Sequence, residues 1–193
     1  RDVVVIGGGD TGSDCVGTSI RQGAKSVLQI EILPKPPVKR DEDNPWPYYA
    51  HTLKTSSSHE EGCERRWSLA TSRFLGQQRR VSSIEVNTVE WNKNGFSRPQ
   101  MKSVPGTTEE IKADLVLLAM GFVHPVHEGL LNELGLDYTD RKNIKISSEY
   151  RTSKDKVFAA GDSVLGASLV VRAIHSGRQA AKNIHEFLLN QGK

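Results

Sequence analysis

Six residues near the start of the chain have the types and the spacing of a phosphate-binding turn. They follow the apolar segment VVVI and open a predicted helix, which is the context that the dinucleotide motif G-x-G-x-x-G requires. Backbone N–H groups at such a turn, together with the positive end of the helix, attract a pyrophosphate. We therefore predict that a dinucleotide binds at the following residues: Gly7, Gly8, Gly9, Asp10, Thr11 and Gly12.

The three glycines in register with the motif have different predicted roles. Gly7 makes the tight turn, Gly9 lets the backbone approach a pyrophosphate, and Gly12 allows the helix to lie close to the strand. Asp10 would repel a pyrophosphate, so we expect its side chain to cap the helix N-terminus instead. The alternative is a glycine-rich turn that binds nothing, but the strand, glycines, helix and following acid are all in register, which favours a cofactor site.

An acidic residue, Glu31, follows Gly12 by 19 residues, near the end of the second predicted strand. A carboxylate there would accept hydrogen bonds from the hydroxyls of an adenosine ribose. It would also repel a 2′-phosphate, by about 1–3 kcal/mol in a partly dry pocket, and Ile32 and Leu33 follow it instead of arginines. The sequence therefore favours NADH over NADPH. Three cations that could fold over the site keep NADPH open: Lys35, Lys39 and Arg40.

A second motif, VFAAGD followed by a predicted helix, lies near residue 160. Its position after a dinucleotide motif and an LLAMGF strand makes it specific, and it resembles the C-terminal FAD motif of flavoproteins with two dinucleotide-binding domains. The resemblance implies that Asp162 accepts hydrogen bonds from FAD and that the next helix N-terminus faces its pyrophosphate or isoalloxazine. Beyond the first turn, the predicted cofactor-binding residues are Glu31, Met120, Gly121, Gly161, Asp162, Ala167, Ser168 and Leu169.

The elements that must position these residues form an α/β pattern, with unbroken apolar strands that are typical of a parallel sheet covered on both faces. The predicted strands are Val3–Ile6, Ser26–Leu33, Val81–Trp91, Gln100–Val104, Ile111–Met120 and a final KVFAAGD strand. The predicted helices are Asp10–Gln22, Glu60–Ser68, Leu130–Leu134 and Ala167–Leu189. Asn94-Gly95 predicts a hairpin, so a β-meander replaces the usual crossover helix of a Rossmann-like domain.

The proline-rich segment 34–49 connects the second strand to the rest of the domain. Its prolines remove hydrogen-bond donors and exclude regular structure, so we predict an ordered loop. Its aromatic side chains are expected to be buried; these are Trp46, Tyr48 and Tyr49.

Composition excludes several classes of function. A net charge of +3 with interspersed signs carries no footprint for nucleic acid, and the apolar runs are far shorter than a membrane span. Two cysteines, Cys15 and Cys63, cannot form a disulfide framework, which favours a reducing, cytoplasmic compartment. The chain has no initiator methionine and begins within a predicted strand, so we expect a piece of a longer protein.

Five stretches together resemble the small (beta) subunit of NAD(P)H-dependent glutamate synthase, in the order in which that family has them. They are VVVIGGGDTGSDCVGTSIRQGAKSV, LPKPPVKRDEDNPWP, TSSSHEEGCERRWSL, IKADLVLLAMGF and VFAAGDSVLGASLVVRAIHSGRQAA. The resemblance implies an NAD(P)H-binding domain at 1–123, then a connection and the C-terminal part of an FAD-binding domain at 124–193. It also implies that the FAD fingerprint and the iron–sulfur cysteines of that subunit lie outside this sequence.

The resemblance further implies that NAD(P)H passes a hydride to FAD and that electrons continue to a large subunit, which makes glutamate from 2-oxoglutarate and glutamine. Because the chemistry belongs to the cofactors, no residue is assigned as catalytic. The chain alone is expected to bind NAD(H) but not to hold FAD or turn over. Gly166-Ala167 and Arg172 depart from the family pattern on the flavin side, whereas Ile32 and Leu33 replace the paired arginines of NADPH-using members.

Two other functions remain open at this point: a different flavoprotein reductase of the same superfamily, and a non-catalytic NAD-binding module. We predict no metal site. His124 and His127 have the spacing of metal ligands, but the intervening Pro125 and the lack of a third ligand favour a solvated loop. The charged segment HEEGCERR is expected to be a solvated helix face, with contact to the large subunit as the alternative.

Overall fold

A computed structural model describes residues 1–92 and 99–191 and divides the chain into two compact units, Arg1–Met120 and Gly121–Lys193. The elements of the first unit are β1 (Asp2–Ile6), α1 (Asp10–Arg21), β2 (Ser26–Glu31), α2 (Ser57–Glu60), β3 (Glu64–Trp67), β4 (Leu69–Gln77), β5 (Arg80–Asn92), β6 (Gln100–Ser103), β7 (Glu109–Lys112) and β8 (Leu115–Leu118). The second unit contains α3 (Leu130–Leu134), α4 (Asp162–Leu165) and α5 (Val170–Gln191).

A four-stranded parallel sheet of order β3-β2-β1-β8 forms the centre of the first unit. Side chains alternate between its faces, so Val3 and Val5 of β1 pack with Val16 of α1. Val4 and Ile6 face the other way, into a core shared with the antiparallel strands. Burying each such side chain contributes about 1.5–3 kcal/mol, so β1 is held from both faces. The predicted Rossmann-like α/β class is confirmed.

Helix α1 begins and ends within one residue of the predicted bounds. Gly23, with φ +79°, donates its N–H to the carbonyl of Ile20 and ends the helix. The predicted cap was wrong: Gly9 occupies the N-cap position in an extended conformation, and Asp10 lies one residue inside the first turn. The carboxylate of Asp10 is therefore close to the positive end of the helix without serving as its cap.

The antiparallel part of the unit has the order β4-β5-β6, and β7 also pairs antiparallel with β5. The predicted strand Ile111–Met120 is in fact two strands, since β7 pairs antiparallel with β5 while β8 pairs parallel with β1. Ala113, which is fully buried, lies at the change of direction. The predicted Asn94-Gly95 turn lies outside the described residues, although β5 and β6 do pair antiparallel.

Three expectations for the segment from the end of β2 to residue 68 were wrong. The loop has no regular structure, as predicted, but its aromatic side chains are exposed: Trp46 at 83%, Tyr48 at 69% and Tyr49 at 65%. The second strand ends at Glu31 instead of Leu33. The predicted helix over Glu60–Ser68 is confined to Ser57–Glu60, and the residues after it form β3. Pairing with the open edge of β2 overrides the helical composition of this segment.

The second unit contains the predicted short helix at Leu130–Leu134 but not the predicted KVFAAGD strand. That segment makes one isolated bridge, between Arg151 and Phe158, because a ladder needs a neighbouring strand along its length. The long helix starts at Val170, three residues later than predicted. Among the helix residues whose burial the structure describes, only Ser176 and Ala180 are buried, and large apolar side chains such as Val170, Ile174 and Leu188 are exposed. Among the described helices, none is long and apolar enough to cross a membrane.

Acid should weaken the first unit through Asp2, at the start of β1. Its carboxylate accepts from Ser26 Oγ at 2.7 Å and pairs with Lys112 Nζ at 2.9 Å; the Lys112 contact, followed by Ser26, lowers the pKa of Asp2 from 3.8 to about 2. A carboxylate whose pKa is lower in the folded than in the unfolded state stabilises the fold at pH values above its unfolded pKa. This stabilisation is lost as the pH falls through the folded pKa. We expect Asp2→Asn to lower the urea midpoint at pH 7, with the deficit relative to wild type shrinking as the pH falls from about 4 to about 2.

The matched control is Asp155→Asn, at an exposed position of the second unit. Its urea midpoint should follow that of the wild type at every pH. A deficit in Asp2→Asn that stays constant from pH 7 to pH 2 would contradict the assignment to the Asp2–Lys112 pair.

Candidate functional site

The glycine-rich turn between β1 and α1 is built so closely that two of its glycines admit no side chain. Gly7 has φ +124°, and a Cβ there would lie 2.2 Å from the carbonyl oxygen of Ala119. A Cβ on Gly12 would lie 2.2 Å from the carbonyl oxygen of Gly7, because the helix rests directly on the turn. A Cβ on Gly9 would meet nothing within 4 Å, so the backbone at Gly9 faces open space. Gly9 is therefore where a ligand could come closest to the main chain.

Glu31 ends β2 beside this turn. Its Oε2 accepts from the N–H of Gly8 at 2.6 Å, and its Oε1 accepts from the N–H of Leu33 at 3.1 Å. An ionised carboxylate has about four acceptor positions, so each oxygen keeps a lone pair for a further donor. The geometry leaves Glu31 able to accept from two neighbouring hydroxyls while it is fixed by the backbone. Its binding of a ribose stays a prediction.

A cavity of about 390 Å³ opens at this carboxyl end of the parallel sheet. Its lining combines the turn and first helical turn, the end of β2, the loop before α2 and the edge strand β3. The lining residues are Gly8, Gly9, Asp10, Ser13, Glu31, Leu33, Pro34, Pro36, Tyr49, Ala50, His51, Thr52, Leu53, Lys54, Ser56, His59, Arg65 and Trp67. Four predicted site residues of the first turn and β2 therefore meet in one cavity: Gly8, Gly9, Asp10 and Glu31.

A larger cavity, of about 500 Å³, lies at the opposite end of the same strands, against Asp2, Ser26 and Glu64. In open parallel sheets, ligands bind outside the carboxyl ends of the strands, where loops and helix N-termini meet. Asp2 is also committed to its contacts with Ser26 and Lys112. The smaller cavity beside the glycine-rich turn is therefore the candidate site.

The cations that line the candidate cavity are not the ones suggested by sequence. Lys35 lies over the ring of Trp67, with its Nζ 5.0 Å from the centroid, and Arg40 donates to the carbonyls of Asn44 and Tyr48 at 3.0 Å. Among the described residues, the cations of the lining are Lys54 and Arg65. The sequence offered no signal for them, because the loop path and the pairing of β3 bring them to the cavity.

The predicted residues at the end of the third parallel strand lie outside this cavity. Met120 follows β8 and is 66% exposed, and Gly121 has φ +85°. Thr11 is exposed in the first turn of α1 and is also absent from the cavity lining. Their binding roles stay predictions.

In the second unit, the predicted flavin-side residues form one local arrangement. Gly161, with φ +69°, donates its N–H to Ser176 Oγ at 2.9 Å, and Asp162 opens the short helix α4. The Asp162 carboxylate accepts from Ser168 Oγ at 3.1 Å. Ala167 and Leu169 are exposed just before α5, where the Leu169 carbonyl accepts the first helical hydrogen bonds. The carboxylate and the helix start are thus close in sequence and in space.

Sequence reasoning missed a chain of polar contacts behind the turn. Ser56 N–H donates to Nδ1 of His59 at 3.1 Å, Nε2 of His59 contacts Oε1 of Gln29 at 2.9 Å, and Nε2 of Gln29 donates to the Gly7 carbonyl at 2.9 Å. Burial, and then the charge of Arg65, lower the pKa of His59, which favours the neutral ring. A polar Gln29 inside a buried parallel strand was the available signal.

The paired histidines of the second unit form a stack. The rings of His124 and His127 are 4.7 Å apart, and His127 also lies 3.9 Å from the ring of Tyr138. Nε2 of His127 contacts the carbonyl of Lys142 at 2.8 Å. Both histidines are half-buried, so the expected solvated loop was only partly right.

The model of one protein family, described as pyridine nucleotide-disulphide oxidoreductase, matches residues 1–177. The chain belongs to the pyridine nucleotide-disulphide oxidoreductase family. Two solved structures show the fold of this family across almost the whole chain. FprA of Mycobacterium tuberculosis is 15% identical, with a TM-score of 0.70 over 98% of this chain and 53% of that one. T. acidophilum thioredoxin reductase is 21% identical, with a TM-score of 0.62 over 97% of this chain and 53% of that one.

Curated relatives of the chain carry the name glutamate synthase. The glutamate synthase (NADPH) small chain of Mycobacterium tuberculosis is 46% identical over 98% of this chain and 38% of its own length. The glutamate synthase (NADH) of Schizosaccharomyces pombe is 42% identical over all of this chain and 9% of its own length. The small chain of Bacillus subtilis is 36% identical over 98% of this chain. The chain spans about two fifths or less of the relatives that it matches.

Proposed function

We propose that this chain is the NADH-binding portion of a glutamate synthase small subunit, as its relatives' names and its family suggest. In this proposal residues 1–123 are the NAD(P)H-binding domain, and residues 124–193 are a connection and the C-terminal part of an FAD-binding domain. When bound, NADH supplies a hydride and FAD accepts it. Electrons then pass to a large subunit that makes glutamate from 2-oxoglutarate and glutamine.

The observation that carries the proposal is the open backbone at Gly9 beside the fixed carboxylate of Glu31. Gly9 is the N-cap of α1, so the amides of the first helical turn point toward the space in front of it. That space would take a pyrophosphate, favoured by the positive end of the helix. Glu31, anchored to Gly8, would then accept from the adenosine ribose hydroxyls. Gly8, Gly9, Asp10 and Glu31 all line this one cavity.

We propose NADH as the preferred nucleotide. A Glu31 carboxylate that holds the ribose would repel a 2′-phosphate on it, and the residues after it, Ile32 and Leu33, offer no positive charge. Lys54 and Arg65 also line the cavity and soften this repulsion, so the preference should be moderate. The relatives' names include both an NADPH and an NADH enzyme. The charge beside the ribose is therefore the argument for NADH.

The flavin side of the proposal rests on the second unit. Asp162 would hold FAD through hydrogen bonds to its sugar-like hydroxyls or phosphates, with Gly161 allowing the turn and Ala167–Leu169 leading into the α5 N-terminus. The cofactor-binding roles predicted for Met120 and Gly121 are kept as part of the proposal. A cytoplasmic location is also part of the proposal, since Cys15 and Cys63 are free thiols.

Titration of the purified chain with NADH, NADPH and FAD tests the proposal. We expect NADH to bind about 5- to 150-fold more tightly than NADPH, which corresponds to 1–3 kcal/mol of charge repulsion. We also expect the chain to be colourless and to retain no flavin after gel filtration. Calorimetry measures the nucleotide affinities, and the absorbance spectrum shows whether flavin is retained. An absence of NADH binding would overturn the proposed function. Tighter binding of NADPH than of NADH would overturn the proposed preference for NADH.

A further inference from the structure

The peptide group between Gly7 and Gly8 is held on both of its polar sides. Its carbonyl accepts from Nε2 of Gln29 at 2.9 Å, and its N–H donates to Oε2 of Glu31 at 2.6 Å. Gln29 and Glu31 are two residues apart on β2, so both side chains point to the same face of the sheet. The orientation of this one peptide plane is therefore set by a strand that lies beneath it.

His59 contacts the far side of the Gln29 amide, and the contacts of the two side chains agree with one assignment of their protons. A carbonyl only accepts, so the Gln29 amide nitrogen must face Gly7 and its Oε1 must face His59. Nε2 of His59 then carries the proton, and Nδ1 accepts from the N–H of Ser56. The direction of donation runs without conflict from Ser56 through His59 and Gln29 to Gly7. We call these contacts the Ser56–Gly7 chain.

The choice of histidine at position 59 makes this chain possible. Ser56 and His59 form a capping box at the start of α2, a motif in which the third helical residue usually has a Glu or Gln side chain. An imidazole has a second nitrogen on its far side, 2.9 Å from Gln29 Oε1, so it caps the helix and reaches the strand together. The start of α2 is thereby connected to the turn at the N-terminus of α1.

Gln29 is 2% exposed, which makes its pairing energetically important. A buried amide that loses a partner keeps the full cost of its desolvation. Gly12 leaves room for the Gln29 side chain, since a Cβ on Gly12 would lie 2.7 Å from Gln29 Nε2. The turn, the helix start and the strand thus fit around the Gln29 side chain.

We propose that Gln29 and His59 are positioning residues that fix the Gly7–Gly8 peptide, so that the amides after it face the pyrophosphate of the bound dinucleotide. The inference rests on the proposed nucleotide-binding function of the turn. Gln29 does not line the candidate cavity; His59 does, but its proposed role is to hold Gln29. Both act through Gly7, and the effect is confined to the phosphate-binding part of the site.

The variants Gln29→Met and His59→Phe, made in the full chain, test this inference. Gln29→Met keeps the length of the side chain and removes its hydrogen bonds. His59→Phe keeps an aromatic ring and removes the Nε2–H that donates to Gln29. Loss of one net hydrogen bond predicts a rise of about fivefold in the dissociation constants of NADH and ADP for either variant. Because the contacts are in series, the double variant should bind NADH and ADP no more weakly than Gln29→Met alone.

Adenosine separates a positioning role from a merely structural one, since it has no phosphates. Its dissociation constant, measured by chemical-shift titration, should stay within about twofold of the wild type in Gln29→Met, because Gln29 does not line the cavity. His59→Gln, whose amide can still donate to Gln29, should restore most of the ADP affinity. Glu60→Gln, at an exposed position of the same helical turn, is the matched control.

The outcomes separate this inference from the proposed function. A wild-type chain that binds neither NADH nor ADP would overturn the proposed function itself. If the wild type binds and Gln29→Met binds ADP equally well, the positioning role is wrong. Equal losses for ADP and adenosine, additive losses in the double variant, or no rescue by His59→Gln would also overturn it.

Discussion

Replacing Gly9 with serine should raise the dissociation constant for NADH at least about 100-fold, with no loss of stability. Gly9 has φ −82° and ψ −173°, a conformation open to any residue, and its Cβ would meet nothing within 4 Å. Serine is also a preferred N-cap residue. Its hydroxyl would take the amides that the pyrophosphate uses. Losing two charge-assisted hydrogen bonds, at about 1.5 kcal/mol each, corresponds to that factor.

Calorimetric titration with NADH and thermal unfolding of the same samples measure the two halves of this prediction. Gly177→Ser is the matched control, because Gly177 also faces open space but lies in α5 of the second unit. It should bind NADH as the wild type does. If Gly9→Ser binds NADH with unchanged affinity, the pyrophosphate does not lie against the first turn of α1.

Glu31→Gln should abolish the preference for NADH. The glutamine oxygen can still accept from the N–H of Gly8, so the turn keeps its anchor. The negative charge that strengthens the ribose hydrogen bonds and repels a 2′-phosphate is removed. We expect NADH to bind about tenfold more weakly and NADPH about as tightly as before or more tightly, so that the ratio of dissociation constants approaches one.

Competition titrations of both nucleotides against the same chain measure this ratio. Glu90→Gln removes an exposed carboxylate of β5 outside the cavity and serves as the control for net charge. It should leave the ratio unchanged. A wild-type preference that survives in Glu31→Gln would assign nucleotide selection to another group, with Lys54 and Arg65 as the cations of the cavity to test next.

Much of the first β-α-β unit could be predicted because its signals are local. The apolar run of β1, the glycines of the turn and the helical spacing of α1 each follow from steric and periodic rules within a few residues. The same rules place Glu31 at the carboxyl end of β2. The α/β fold class and the position of the candidate site were therefore available from the sequence alone.

The errors lie where a segment's structure depends on a distant partner. β3 replaced a predicted helix because the edge of β2 was open to pairing, and one predicted strand became β7 and β8 because its halves pair with different strands. The KVFAAGD segment lost its predicted strand for the opposite reason, since only one bridge forms along it. Periodicity reports the shape of a segment but not the identity of its neighbour.

Local sequence signals were enough to predict that a glycine-rich turn, a helix N-terminus and an acidic residue come together at one end of a parallel sheet. How that turn is held could be read only from the folded unit. Gln29 and His59 are 30 residues apart and carry no shared motif, yet they meet at 2.9 Å behind Gly7. Hydrogen bonds between such residues depend on how strands and loops pack, and that packing is set by the whole unit instead of by any local pattern.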